Sequence, residues 1–244
     1  MWVFDKYYFS SFDVRLIIQD MIKNEVTVPK TDEDLKIRSQ MEKMVDSYDK
    51  YMRRITLGRE KVLRTMTVSL AQIRPDDCIL EVGCGTGTLT IEAKRKAGTN
   101  GKVFGIDLIP GMIEVSQHKA EKAGLDISFQ VGSIDNIQFP DGQFDVVMCS
   151  FMIFHMSEKV RNKGIEEIYR VLRPEGRFLI LDLSLPQKPL PRSILKLILG
   201  FMLKHDLKDL IPIMNAAGFS KAGLGQAKFR VFGLPLLSYV LGVK

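Results

Sequence analysis

Glycine recurs at alternate positions in Glu81-Val82-Gly83-Cys84-Gly85-Thr86-Gly87, directly after an apolar run and directly before an amphipathic one. Glycine lets a backbone turn sharply without Cβ clashes, so a ligand can lie against main-chain atoms. A helix that follows presents free N–H groups and the positive end of its dipole. Further along, Asp107 closes the next apolar run. A carboxylate there can accept hydrogen bonds from two adjacent ribose hydroxyls, which would serve a nicotinamide dinucleotide or S-adenosylmethionine (SAM) equally. Two details separate these ligands. The spacing is GxGxG and not the GxGxxG of a dinucleotide fold. Glu81 also precedes the loop, where a pyrophosphate would be unwelcome but an aminoacyl ammonium would be at home.

These residues need a strand-loop-helix frame, and the sequence supplies one. Short apolar runs at Cys78 to Val82, Val103 to Asp107, Ile127 to Val131, Phe144 to Ser150 and Arg177 to Leu183 read as strands. Between them Leu89 to Ala97, Gly111 to Ala123 and Ser157 to Leu172 read as helices; Pro110 suits a first turn and Gly124 a stop. Strands alternating with helices imply right-handed crossovers and a parallel sheet. The expected fold is therefore α/β and Rossmann-like, with helices on both faces and the binding site at the carboxyl ends of the strands. Residues 1–57 are helical in pattern and form an N-terminal cap on the substrate side; residues 58–244 form the catalytic domain.

After Leu183 the chain breaks at Pro186, Pro189 and Pro191, which marks an insertion near 185–205. Within it Ser193 to His205 is apolar and basic. It either lines an apolar pocket, touches a membrane, packs on the core or joins two copies of the chain. Asp206 to Ala217 reads as a helix stopped by Gly218, and Phe229, Val231 and Phe232 with Ser238 to Val243 as a closing strand pair.

Hydrophobic residues at 45% and charged residues at 26% are ordinary for a soluble globular protein and argue against disorder. The net charge of +6 is compatible with anionic ligands or an anionic membrane surface. Cys78, Cys84 and Cys149 are an odd number without CxxC spacing, which fits reduced thiols in the cytoplasm and neither a disulfide framework nor a zinc site. Met1 to Phe12 is interrupted by Asp5 and Lys6 and does not read as a signal peptide. No apolar run approaches the roughly 20 residues of a spanning helix. The expected location is cytoplasmic, with peripheral membrane attachment left open.

The segments ILEVGCGTG, GKVFGID, FPDGQFDVVMCSFMIFHM and EIYRVLRPEGRFLILDLS together resemble the class I SAM-dependent methyltransferases, and within them the ubiquinone/menaquinone C-methyltransferase-like branch. The resemblance covers Val45 to Ser184. It implies a sheet of about seven strands, mostly parallel, with one reversed strand at the edge. It assigns Glu81, Gly83, Cys84, Gly85 and Gly87 to the methionine part of SAM, Asp107 to the ribose, and Leu108 and Met112 to the ribose or adenine side. Relatives carry Gly-Asp after the third strand, with the acid near the adenine amino group; this chain has Gly132-Ser133-Ile134, so Ser133, the Ile134 backbone or a displaced Asp135 must substitute. Cys149, after the fourth strand, is placed under the methionine part. Tyr48, in a Tyr-Asp pair that many relatives share, is placed where it helps close the pocket. His155 is the side chain near the methyl site with a pKa suited to accepting a proton; relatives often have His-His there, and Phe154 replaces the first.

The implied reaction moves a methyl group from SAM to a small hydrophobic or amphipathic acceptor, leaving S-adenosylhomocysteine, with quinone-like C-methylation ahead of O- or N-methylation of a metabolite or lipid head group. A SAM-binding partner or sensor without turnover is the reading from another class. A nucleic-acid substrate is disfavoured, because SFMIFHM stands where an Asn/Asp-Pro-Pro-aromatic motif would. No metal-ligand cluster is visible. A homodimer and peripheral membrane contact stay open as partners.

Overall fold

A computed structural model describes residues 32–183, 206–230 and 236–244. The stretches 1–31, 184–205 and 231–235 lie outside the described residues, and with them the expected insertion, the apolar, basic segment Ser193 to His205, and Val231 and Phe232.

The chain enters through α1 (Asp32–Met44), a 3-10 turn (Val45–Ser47), α2 (Tyr48–Ile55) and α3 (Glu60–Leu70). Then β1 (Cys78–Val82), α4 (Thr88–Ala97), β2 (Lys102–Asp107), α5 (Pro110–Lys122), β3 (Ser128–Val131) and β4 (Phe144–Ser150) alternate. They are followed by α6 (Glu158–Val171), β5 (Leu172–Leu183), α7 (Leu210–Ala216), β6 (Ser220–Gln226) and β7 (Leu237–Val243). The strands form a seven-stranded sheet in the order β3-β2-β1-β4-β5-β7-β6. Every pairing from β3 to β5 is parallel, and β7 runs antiparallel to both its neighbours. Strand order reverses between β1 and β4, so the site belongs at their carboxyl ends.

Both faces of the sheet are covered. Ile165, Ile168 and Val171 of α6 with Leu210 and Met214 of α7 pack on Leu80, Val147, Phe178 and Ile180. On the opposite face Val68 of α3 with Leu89, Ala93 and Ala97 of α4 pack on Ile79, Met148 and Leu179. All seven residues of β4 are buried, as a central parallel strand requires.

Two expectations about the C-terminal end are corrected. The reversed strand β7 is not at the edge; it lies between β5 and β6, because its Leu-Ser-Tyr-Val-Leu-Gly-Val run is apolar enough to be buried between two partners. The edge belongs to β6, whose Ser-Lys-Ala-Gly-Leu-Gly-Gln is mostly polar or small and largely accessible, as an edge tolerates. Ser220–Gln226 pairs with β7, and Phe229, expected to belong to its partner, is buried against Met52 and Leu63. At the other end of β5, Pro174-Glu175-Gly176 is the expected turn. It sits within the strand as a register shift against β4, with Glu175 at φ +62°. Among the described residues no helix is long and apolar enough to cross a membrane.

Candidate active site

The loop after β1 is anchored to β2. Gly83 and Cys84 donate their N–H groups to the Ile106 carbonyl at 2.8 and 3.0 Å. The Asp107 carboxylate accepts from Gly85 N–H at 2.8 Å and from Ile109 N–H at 2.9 Å, which pins loop and carboxylate to one another. Burial raises the pKa of Asp107 above the usual aspartate value, and its bonds from Ile109, Gly85 and Leu108 hold it down against that.

The glycines of the loop have φ of +70° (Gly83), +52° (Gly85) and +75° (Gly87), but different surroundings. A Cβ on Gly83 would stand 2.8 Å from the Met152 side chain, which lies directly on the bare backbone. At Gly85 its nearest neighbour would be the Tyr48 ring at 3.6 Å. At Gly87 it would stand 2.7 Å from Ser116 Cβ, so this glycine serves the contact between the loop and α5.

Beneath the loop lies a polar network that sequence reasoning missed apart from Glu81 and Tyr48. Thr90 of α4 donates its hydroxyl to Glu81, and Arg64 of α3 pairs with Glu60 at 3.1 Å. Burial first of all pushes the Glu81 carboxyl up to about 7, against lowering by Thr90 and Arg64. Burial likewise raises the Tyr48 phenol. A folded pKa above the unfolded value means that ionising Glu81 costs stability. The cost is absent below pH 4.5, grows through the window up to about 7, and is complete above it. Glu81→Gln keeps the shape and an acceptor for Thr90. It is expected to match the wild type at pH 4.5 and to exceed it at pH 8 by on the order of 3 kcal/mol, read from urea unfolding at both pH values. A variant less stable than wild type at pH 8 would show that the ionised carboxylate is held favourably.

The N-terminal helices are stapled over the loop. Asp49 accepts from the Thr86 hydroxyl at 2.6 Å and pairs with Lys119 of α5 at 2.7 Å, and Lys119 also reaches Thr88 at 3.0 Å. The Tyr48-Asp49 pair thus touches the glycine loop with both side chains.

A narrow cleft of about 140 Å³, partly open to solvent, runs along the carboxyl ends of the strands. Of the sequence-selected residues, Gly83, Asp107, Leu108, Ser133, Ile134 and His155 line it. Asp135 lines it too and accepts from the Ser133 hydroxyl, so a carboxylate stands near where relatives carry one a residue or two earlier. Arg38, Met152, Met156 and Val160 are also on the wall, and no spacing rule pointed to them. Tyr48, Glu81, Gly85 and Gly87 bound the loop from behind and do not line the cleft. Three selected side chains point into the core. Cys84 packs with Ile113, Ala120 and Phe129, Met112 is 2% exposed on α5, and Cys149 is 1% exposed in the main cluster. The chain's direction after Gly83 decides this for Cys84, leaving only its backbone toward the loop.

His155 ends a 3-10 turn (Ile153–His155) held by its N–H donating to Met152 O at 2.9 Å. Its ring stands at the mouth of the cleft, and partial desolvation lowers its pKa, so it is neutral at pH 7 and able to accept a proton. Just before it, Phe151 has φ +56°, an uncommon conformation for a bulky residue. Asp182, at the carboxyl end of β5, is a second carboxyl that burial raises to about 7; it accepts from Leu183 N–H at 2.7 Å.

The wall chemistry fits an adenosyl ligand: a fixed carboxylate for hydroxyls, bare glycine backbone, and apolar Leu108, Ile134, Met156 and Val160 for a flat ring. The comparisons agree. Residues 79–176 match the family profile described as a methyltransferase domain. The chain is 33% identical over 152 residues to a demethylmenaquinone methyltransferase of Symbiobacterium thermophilum, covering 62% of this chain and 60% of that one. It is 34% identical over 146 residues to the ubiquinone/menaquinone biosynthesis C-methyltransferase UbiE of Bdellovibrio bacteriovorus, covering 60% and 61%. The chain thus spans less than two thirds of either relative. Magnesium protoporphyrin IX methyltransferase (ChlM) from Synechocystis PCC 6803, solved with bound SAH, shares the fold at a TM-score of 0.65 and 20% identity, over 87% of this chain and 100% of that one. Residues 79–176 thus match a methyltransferase domain, and the fold, with its glycine loop and Asp107, is that of the class I, SAM-dependent methyltransferases. Within that class, the relatives it resembles are a demethylmenaquinone methyltransferase and a UbiE C-methyltransferase.

Proposed function

We propose that the protein moves a methyl group from SAM to a small hydrophobic or amphipathic acceptor, by C-methylation of a quinone-like ring, in the cytoplasm. The observation that carries this reading is the Asp107 carboxylate on the cleft wall, fixed by the N–H groups of Gly85 and Ile109. In this reading Asp107 meets the ribose hydroxyls, and Gly83 with the loop backbone faces the methionine part. Leu108, Ile134 and the Ser133–Asp135 pair flank the adenine. The sulfonium of SAM supplies an electrophilic methyl, so the protein's task is to align the acceptor and exclude water. The quinone-like choice is supported by the names of the relatives, and the apolar character of Met152, Met156 and Val160 suits such a ring.

Calorimetry with SAM, S-adenosylhomocysteine and NADH tests the reading. SAM and its product are expected to bind and NADH is not. Asp107→Ala is expected to weaken SAM binding by roughly 10- to 100-fold, the loss of about 1.5–3 kcal/mol for a charge-assisted acceptor. It also strands two part-buried N–H groups, so a stability loss of about 1–3 kcal/mol accompanies it. Asp107→Asn, which keeps an acceptor, separates the two effects. NADH binding in place of SAM, or an unchanged SAM dissociation constant in folded Asp107→Ala, would overturn the assignment. SAM binding without methylation of any quinol acceptor would turn the reading to O- or N-methylation of a metabolite or lipid head group, and SAM binding with no acceptor methylated to a sensor or partner subunit.

A further inference from the structure

The outer face of α2, its following turn and the start of α3 combines cations with exposed apolar side chains. On α2 the inward positions are occupied: Met52 is buried, and Thr56 just beyond is buried with its hydroxyl on the Met52 carbonyl at 2.8 Å. The outward positions are Lys50, Arg53 and Arg54, which share one shallow depression with Leu57 and Gly58. Lys61 and Val62 continue the surface onto α3. Among the described residues, Lys50, Arg53, Arg54 and Lys61 form no ion pair. The acids nearest them in sequence are already engaged, Asp49 with Lys119 and Glu60 with Arg64.

The apolar component is equally specific. Of the five exposed large hydrophobic residues among the described residues, Leu57 at 65% lies in that depression, Val62 at 51% follows Lys61 on α3 and Tyr51 at 37% follows Lys50 on α2. Leu57 is held outward by a defined turn. Its φ is +52°, its N–H donates to Arg54 O at 3.1 Å, and the following Gly58 N–H donates to Arg53 O at 2.7 Å. A bulky residue in the left-handed region is uncommon, and here it projects an apolar side chain into solvent beside the three cations Lys50, Arg53 and Arg54. Next to it a groove with Met66, Leu70 and Tyr239 on its walls is flanked by Lys61 and Lys228. Cations ringing a protruding aliphatic side chain match an interface that offers negative charge above and hydrocarbon just below.

We infer that this face docks the protein on an anionic lipid bilayer. Arg53, Arg54, Lys50 and Lys61 would meet the head groups and Leu57 would enter the acyl boundary. This names the surface from which an amphipathic acceptor would be drawn, and so deepens the function proposed above, but the docking itself needs no turnover.

The test is co-sedimentation of the full chain with phosphatidylcholine vesicles, with and without phosphatidylglycerol, alongside SAM calorimetry on each variant. Binding to the anionic vesicles only, weakening as salt rises and the screening length falls, is expected. Each cation near an anionic surface contributes roughly fivefold, so Arg53→Glu with Arg54→Glu is expected to lower partitioning at least about tenfold. Leu57→Ser should lower it severalfold, and both should leave SAM affinity unchanged. If the double reversal does not fold, Arg54→Gln and Lys50→Gln test the same point. Equal binding to neutral vesicles, or wild-type partitioning in these variants, would overturn the proposal. Sensitivity to the arginines without sensitivity to Leu57 would also overturn it, pointing to a soluble polyanion instead. Vesicle binding in a protein that fails to bind SAM would sink the enzymatic reading and leave this one standing.

Discussion

Gly87→Val is expected to cost the protein about 2–6 kcal/mol and to lower its melting temperature by roughly 5–20 °C. Two effects add. At φ +75° a β-branched residue is strained whatever the space around it, worth about 1–3 kcal/mol. The new Cβ would also stand 2.7 Å from Ser116 Cβ and 3.2 Å from Ser116 Cα, and the second of these is backbone of α5. Either α5 moves or the loop does, which is overpacking of about 1–3 kcal/mol. Gly85→Val is the comparison. It carries the strain at φ +52°, but its nearest neighbour is the Tyr48 ring at an ordinary 3.6 Å, so its loss of stability should be the smaller. Thermal unfolding of both variants reads the difference. Equal losses would mean that the contact between loop and α5 is not what requires glycine at position 87.

That contrast shows how far the sequence could be read. The alternate glycines announce a tight loop between strand and helix, and that loop is present. Which glycine faces the cleft, which faces Tyr48 and which faces α5 depends on elements distant in sequence. The same division runs through the fold. β1 and β4 have the bounds read from the sequence, because a strand buried on both faces is a continuous apolar run with abrupt ends. β6 was not legible, because an edge strand of small and polar residues has no such signature; pairing with β7 and not propensity makes it a strand. In the site, Asp107 and His155 stand out by residue type at the ends of apolar runs. Arg38, Arg64 and Thr90 do not, since each acts from the surface of a helix whose docking no local pattern encodes. Cys84, Met112 and Cys149 failed to reach the cleft because alternation along a strand or helix assigns a face only once the neighbours are known.

His155→Ala is expected to lower kcat by about 10²–10⁴ while leaving SAM affinity within about threefold of wild type. In the reaction proposed above, forming a carbon–carbon bond on a quinol ring would leave the acceptor with one proton too many, and a group at the cleft would have to take it. His155 lies there, neutral at pH 7 because desolvation lowers its pKa below the ordinary value of 6.5. The sign of the pH dependence follows. The neutral imidazole is the active form, so the wild-type rate should fall as pH drops through the lowered pKa and be flat from pH 7 upward. His155→Gln separates the roles, since glutamine can hold an acceptor by a hydrogen bond but cannot take up a proton in this range. If His155 acts as the base, both variants lose rate and the acid limb disappears from their profiles. If it only positions the acceptor, glutamine recovers much of the rate and KM, not kcat, carries the effect in alanine. A loss of less than about threefold in kcat for His155→Ala, with the acid limb retained, would remove the imidazole from the chemistry. Asp182 would then be the titrating group to test next. It is a buried carboxyl with a pKa raised to about 7 at the carboxyl end of β5, which would place the acid limb above the ordinary histidine value and not below it.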